Sequence, residues 1–132
     1  MTPDQRTYVA YRLKRAGEVL GEAEVMLANG YLIAATSRLY YACFYAVSAL
    51  LLSEGMGSSK HTGVKALFNR EWIKTGRLPA EMGDLYRDLF DSRQLGDYVD
   101  LTSFQQEAVE TWLTEAKAFV ERIAQEIAKS TC

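Results

Sequence analysis

The segment from Tyr31 to Ser53 constrains the fold most, because as a helix it is apolar on every side. Arg38 is its only charged residue. Such a helix must be covered all round, either as the centre of a bundle or in part by a second chain. Its longest uncharged run, 39–52, is too short to cross a bilayer. We predict a central helix too apolar for one chain to cover, and therefore a homodimer.

Two long helices with a single apolar face are predicted on either side of this segment. The first begins with a capping box at Thr2 and ends at Asn29-Gly30. A second capping box at Thr102 is predicted to open the last helix. In both, apolar residues recur at alternating steps of four and three, the spacing of one helix face.

Two shorter helices are predicted between them, one capped by Ser58-Ser59 and reaching about Lys74, the other from about Ala80 to Leu95, where Gly96 ends it. No segment alternates with the period of a strand. The sequence therefore predicts an all-α fold, an up-and-down bundle of four to five helices in one domain over residues 1–132.

Composition excludes several classes of function. The chain has one histidine, His61, and two cysteines, Cys43 and Cys132, too few for a histidine-rich metal site or a disulfide framework. A net charge of −2 gives no general electrostatic case for binding DNA or a membrane. No targeting signal is visible. We expect a cytoplasmic protein with no metal and no cofactor.

Charge is nevertheless distributed unevenly. Residues 60–77 contain five basic residues and one acidic residue, whereas residues 81–110 contain eight acidic and two basic residues. Both segments fit solvated helix faces. Alternatively, the basic segment contacts phosphates or an acidic partner, and the two segments pair between subunits.

Several polar or aromatic residues admit both a structural and a functional interpretation. Arg38 needs either a ligand or an acidic partner from the fourth or fifth helix. Arg93 and Asp97 form either a helix-end ion pair or part of a binding site. His61, after Lys60 at a helix start, either belongs to the cap or faces a bound anion. Tyr41 lies among aromatic residues that either pack in the core or stack on a base.

Three stretches resemble the HEPN family, named for higher eukaryotes and prokaryotes nucleotide-binding. They are YLIAATSRLYYACFYA at 31–46, KHTGV at 60–64 and LFDSRQLGDY at 89–98. The resemblance covers roughly residues 5 to 128. It implies a helical bundle that forms homodimers and that often pairs with a minimal nucleotidyltransferase in a toxin–antitoxin arrangement.

The resemblance also implies site residues. Active members are metal-independent RNases in which an arginine is followed, after four to six residues, by a histidine at a cleft shared by two subunits. Arg93 matches that arginine, but Tyr98 stands where the histidine is expected. A tyrosine with a pKa near 10 is a poor base at neutral pH. His61 of the other subunit is a possible source of the missing imidazole.

Three functions therefore remain open. The first is a toxin-like or partner HEPN protein that binds nucleotide or RNA at a cleft near the dimer interface, with Arg38, Tyr41, Lys60, His61 and Asp97 as binding residues. The second is an active RNase that uses Arg93 with Tyr98 or His61. The third is a non-catalytic dimeric adaptor that binds protein only.

Overall fold

The computed structural model describes residues 1–130, which form five α-helices and one π-helical turn. These elements are α1 (Pro3–Ala28), α2 (Leu32–Ser53), α3 (His61–Phe68), the π-helical turn (Asn69–Ile73), α4 (Ala80–Tyr98) and α5 (Gln106–Ser130). No strand occurs among these described residues. The predicted all-α bundle is confirmed, whereas Cys132 lies outside the described residues.

Helix α2 lies at the centre of the bundle. It packs against α1, α3, α4 and α5, and those neighbours bury one broad face of it between Ala35 and Leu51. The remaining face is only partly buried and carries Tyr41, Phe44, Tyr45 and Leu52. Among its large apolar residues, Ile33 near its beginning remains 40% exposed. One chain therefore places this helix at the centre of its bundle without covering it completely, and the homodimer stays a prediction.

No helix among residues 1–130 combines the length and the apolar character that a bilayer crossing requires. The central helix has a high content of apolar residues, but Arg38 and the polar side chains beside it interrupt the run.

The predicted limits of α1 are confirmed. The Thr2 hydroxyl accepts a hydrogen bond from the Gln5 backbone N–H (3.1 Å), and the Gln5 side chain accepts one from the Thr2 backbone N–H (2.8 Å). At the other end Asn29 is the C-cap, and Gly30 has φ +78°. This left-handed conformation favours glycine and turns the chain into α2.

Gly96 does not end α4, which continues to Tyr98. A glycine in a helix costs only about 1 kcal/mol relative to alanine, and here its missing Cβ makes room for neighbours. A Cβ on Gly96 would lie 3.0 Å from Ile33 Cγ2 and 3.4 Å from Phe104 Cε2. The extra turn keeps Asp97 on the same helix as Arg93.

The predicted capping box at Thr102 does not open α5, which begins at Gln106. The Thr102 hydroxyl instead donates to the carbonyl oxygens of Leu95 (3.1 Å) and Val99 (2.8 Å). It therefore caps the end of α4, where the Val99 carbonyl group lies beyond the last helical residue.

Candidate functional site

Helix α4 places the Arg93 guanidinium against two aromatic rings of α2. Its Cζ lies 5.2 Å from the centre of the Tyr40 ring and 5.4 Å from that of Tyr41. Both distances allow a favourable interaction between a cation and an aromatic face. The Arg93 side chain is only 11% exposed, so it is a largely buried cation.

The hydrogen bonds of Arg93 are incomplete. Nε and Nη1 are buried, and neither makes a hydrogen bond with any residue from Met1 to Ser130. Asp97 Oδ2 lies 3.5 Å from Nε, close enough for electrostatic attraction but outside hydrogen-bond geometry. Because a buried donor without a partner costs about 1–3 kcal/mol, stability alone does not account for this arginine.

His61 lies against the same aromatic residues at the beginning of α3. Its ring stacks on Phe44 with a centroid separation of 4.5 Å and an interplanar angle of 10°. Its Nδ1 is 2.7 Å from the Tyr40 hydroxyl oxygen. Burial, and then the Arg93 cation, lower the pKa of His61. His61 and Arg93 of one chain therefore share one environment.

Five residues make up this site: Tyr40, Tyr41, Phe44, His61 and Arg93. We call them the Arg93–His61 cluster. Burial raises the pKa of Tyr40 to about 12, although the Tyr86 hydroxyl and the Arg93 cation oppose the rise. The Tyr40 hydroxyl is therefore protonated at neutral pH.

The loop before α3 is built to hold His61 in place. Lys60 is the exposed N-cap residue, and its backbone N–H donates to the Ser58 hydroxyl (3.2 Å). A Cβ on Gly63 would lie 2.1 Å from Ser58 Oγ, so only glycine permits this close approach. The predicted helix from Ser58 to Lys74 thus begins later, at His61, and gives way to the π-helical turn at Asn69.

Sequence reasoning missed Lys65. Its Nζ lies 4.8 Å from the centre of the Phe90 ring, and that ring is 5.8 Å from the Tyr40 ring. Lys65 follows His61 by four residues, a spacing that places two side chains on one helix face. That spacing is the sequence feature that places Lys65 beside His61.

Arg38 lies elsewhere than expected. It forms an ion pair with Glu22 of α1 (3.6 Å) and is 41% exposed, so the predicted pairing with an acidic residue of α4 or α5 is wrong. It lines a groove of about 700 Å³ with Asp97, Tyr31 and Phe104. Since Asp97 also approaches Arg93, the groove borders the Arg93–His61 cluster.

Tyr98 lies at the last position of α4 and is 76% exposed. The fold therefore does not bring Tyr98 into the cluster of its own chain. Within the two charged segments, Arg70 pairs with Glu71, and Arg87 pairs with Asp84 and Asp88.

Within residues 1–130, no group of three or more histidine, cysteine, aspartate or glutamate side chains could hold a metal ion. Cys43 is buried, and burial raises the pKa of its thiol. It therefore packs as a small apolar residue.

The chain is similar to known proteins over most of its length. A UPF0332 protein from Thermotoga maritima is 43% identical over 91% of both chains. Two proteins of Methanocaldococcus jannaschii, each named "putative toxin", are 31% and 29% identical over 83% and 93% of this chain, and over 75% and 91% of their own lengths. The family model of the HEPN domain matches residues 9–127. The all-helical bundle and this match over nearly the whole chain together show that the protein belongs to the HEPN family.

Proposed function

We propose that this toxin-like HEPN protein binds the phosphate of a nucleotide or RNA at the Arg93–His61 cluster. In this proposal the cluster lies near the interface of a homodimer that acts with a minimal nucleotidyltransferase. The observation that supports it best is Arg93, a largely buried cation with two unsatisfied N–H groups. A phosphate at the third guanidinium nitrogen, Nη2, would place a negative charge and acceptor oxygens beside this cation.

The surroundings of Arg93 suit a phosphate ester. Because Nε and Nη1 are buried, Nη2 is the guanidinium nitrogen that a ligand can reach. Half-buried Tyr41 offers an aromatic ring on which a base can stack. Lys60 is exposed beside His61 and adds positive charge at the same edge.

A second copy of the chain is proposed to pack at the end of the bundle near the groove. Large apolar side chains are exposed there: Tyr31, Ile33, Leu95, Tyr98, Val99 and Leu101. Exposed apolar residues concentrated at one end are typical of a protein interface. Association at this end would place the Tyr98 side chains close to the interface and the cluster at its border.

Binding is tested by titration calorimetry with AMP and with a short oligouridylate. We expect saturable binding by the wild type and roughly 10–100-fold weaker binding by Arg93→Gln, the loss expected for one charge-assisted contact. Arg87→Gln on the same helix is the matched control, because Arg87 is half-exposed and paired with Asp84 and Asp88. Failure of the wild type to bind either ligand would leave the protein-binding adaptor as the better function.

The dimer and the partner are tested separately. Sedimentation should give twice the mass of one chain, and Leu101→Asp should shift the wild type toward monomer because Leu101 is fully exposed. A wild-type monomer at micromolar concentration would contradict the dimer. Co-purification with a minimal nucleotidyltransferase encoded beside this chain tests the partner, and its absence from a tagged preparation would count against it.

Metal-independent RNase activity is the second candidate function. It is favoured by one observation, that an imidazole and an arginine share the faces of Tyr40 within one chain. Cleavage of total RNA in EDTA by wild type, Arg93→Ala and His61→Ala tests it. Equal inertness of all three proteins would exclude this activity.

A further inference from the structure

The Tyr40 hydroxyl has very few possible hydrogen-bond partners. Tyr40 is fully buried, and its oxygen lies 2.7 Å from His61 Nδ1. The Tyr41 ring centre lies 5.2 Å from that of Tyr40, and the ring centre of the buried Tyr86 lies 5.9 Å away. The Tyr86 hydroxyl interacts with that of Tyr40 without reaching the geometry of a full hydrogen bond.

The short contact favours one arrangement of the protons. A buried hydroxyl needs an acceptor for its proton, and Nδ1 of His61 is the one within reach. The Tyr40 hydroxyl keeps that proton because burial raises its pKa to about 12. With that proton directed at Nδ1, Nδ1 is unprotonated and the single proton of the neutral imidazole lies on Nε2.

We propose that Tyr40 is a positioning residue that holds His61 as the neutral Nε2–H tautomer, so that His61 Nε2 and Arg93 donate together to one phosphate group. This inference rests on the proposed function and deepens it. His61 is half-buried, and the ring edge away from Tyr40, which carries Nε2, is the one that a ligand can reach.

The charges around His61 agree with a donor role. Arg93 lies near His61 and belongs to α4. Lys60 precedes His61 as the N-cap of α3, and Lys65 follows it one turn later on the same helix. From α2, His61 is faced by the rings of Tyr40 and Tyr41, and the Tyr40 hydroxyl is protonated at neutral pH. Positive neighbours disfavour a charged imidazole, and a bound phosphate offsets them. Phosphate binding should therefore raise the pKa of His61.

The single histidine of the chain allows a direct test by NMR. Two-bond ¹H–¹⁵N correlations of a uniformly ¹⁵N-labelled sample at pH 7.5 report which imidazole nitrogen carries the proton. We expect a protonated Nε2 in the wild type and a mixture of tautomers in Tyr40→Phe. Tyr86→Phe is the matched comparison, because it removes the neighbouring buried phenol oxygen and leaves the contact between Tyr40 and His61 in place. A proton on Nδ1 in the wild type, or the same spectrum in Tyr40→Phe, would overturn the proposal.

Titration with AMP completes the test. We expect the His61 signals of the wild type to move and its pKa to rise, and we expect Tyr40→Phe to bind AMP about fivefold more weakly, the effect of one neutral hydrogen bond. Arg93-dependent binding that leaves the His61 signals unmoved would overturn this inference but not the proposed function. Failure of AMP and oligouridylate to bind would overturn the proposed function and the phosphate contact. The tautomer would still be tested, because it is measured on the protein without ligand.

Discussion

Two arginines of this chain lie over aromatic rings, and they differ in how their hydrogen bonds are satisfied. Arg77 lies over Trp72, 4.7 Å from the ring centre. Two of its guanidinium nitrogens donate to the two carboxylate oxygens of Glu54. Arg93 lies over Tyr40 and Tyr41 at similar distances, but two of its nitrogens have no partner among residues 1–130.

Burial makes the difference between the two arginines informative. Arg77 is 38% exposed and fully paired, whereas Arg93 is 11% exposed and poorly paired. Selection for stability alone would favour the reverse, because an unpaired donor costs more when water is excluded. The aromatic contact is common to both sites. The two sites differ in whether a carboxylate of the same chain accepts the hydrogen bonds of the arginine. Glu54 does so for Arg77, whereas Asp97 lies outside hydrogen-bond geometry with Arg93.

The ring beneath Arg77 should matter most to the fold. Trp72 is fully buried, and we expect Trp72→Ala to lower the free energy of unfolding by about 3–5 kcal/mol, as for other buried aromatic residues. Tyr41→Ala removes a half-buried ring beside Arg93 and should cost clearly less. Urea denaturation of both variants at low temperature measures the difference. Equal losses would mean that both rings are mainly structural.

The loop before α3, which holds His61 in the Arg93–His61 cluster, should be the next most sensitive feature. A Cβ at residue 63 would collide with the side chain of Ser58, and we expect Gly63→Ala to cost about 1–3 kcal/mol, the usual range for overpacking. Because the collision lies in the loop that leads to His61, the AMP affinity should fall as well. Gly21→Ala is the control, since its Cβ would meet nothing within 4 Å, and it should be neutral or slightly stabilising. Normal stability and affinity in Gly63→Ala would show that this loop can adapt to a side chain at residue 63.

The elements that sequence predicts well are those set by local patterns. The Thr2 cap and the turn at Gly30 depend on residues close along the chain, and the structure confirms both. The central position of α2 follows from its apolar surface alone. Thr102 has the pattern of a helix start, but its hydroxyl lies beside the carbonyl groups that end α4. The carbonyl groups to which the Thr102 hydroxyl donates are set by where α4 ends in the folded chain.

The candidate site was predictable only in part. Arg93 and His61 stand out in the sequence as residue types, but their proximity depends on how α3 and α4 pack against α2. The same is true of Arg38, whose partner Glu22 lies on a neighbouring helix that sequence spacing does not identify. The deficit of hydrogen bonds at Arg93 appears only once the residues around it are known.

Replacing each arginine by methionine sharpens the comparison directly. Arg77→Met loses a partly exposed ion pair and should lower the free energy of unfolding by about 1 kcal/mol. Arg93→Met keeps similar volume and removes a buried cation with unmet donors, so stability should stay unchanged or rise by up to about 2 kcal/mol. Urea denaturation at pH 7.5 gives both values, and calorimetry with AMP should show lost binding only for Arg93→Met. A large loss of stability in Arg93→Met would make it a structural residue like Arg77.

The smallest expected effect is a pH dependence of stability that comes from His61, which lies near Arg93 and not near Arg77. The pKa of His61 is lowered in the folded state by burial and by Arg93, whereas an unfolded chain has a histidine pKa near 6.5. Just below that pH the unfolded state binds more protons, so the contribution of His61 is complete above pH 6.5 and is lost as the pH falls through the lowered pKa.

His61→Gln should remove this contribution. Urea denaturation of both proteins at pH 5.0, 5.5, 6.5 and 7.5 measures it, because the carboxylates titrate alike in each and cancel in the difference. We expect the difference in unfolding free energy between wild type and variant to be constant from pH 7.5 to 6.5 and to move against the wild type as the pH falls. The same drift should persist in an Arg77→Met background and shrink in Arg93→Met, because burial and Arg93 lower the pKa of His61 and Arg77 does not contribute. A drift that is insensitive to Arg93→Met would mean that burial alone acts on His61, and the contrast between the two arginines would then not extend to the imidazole.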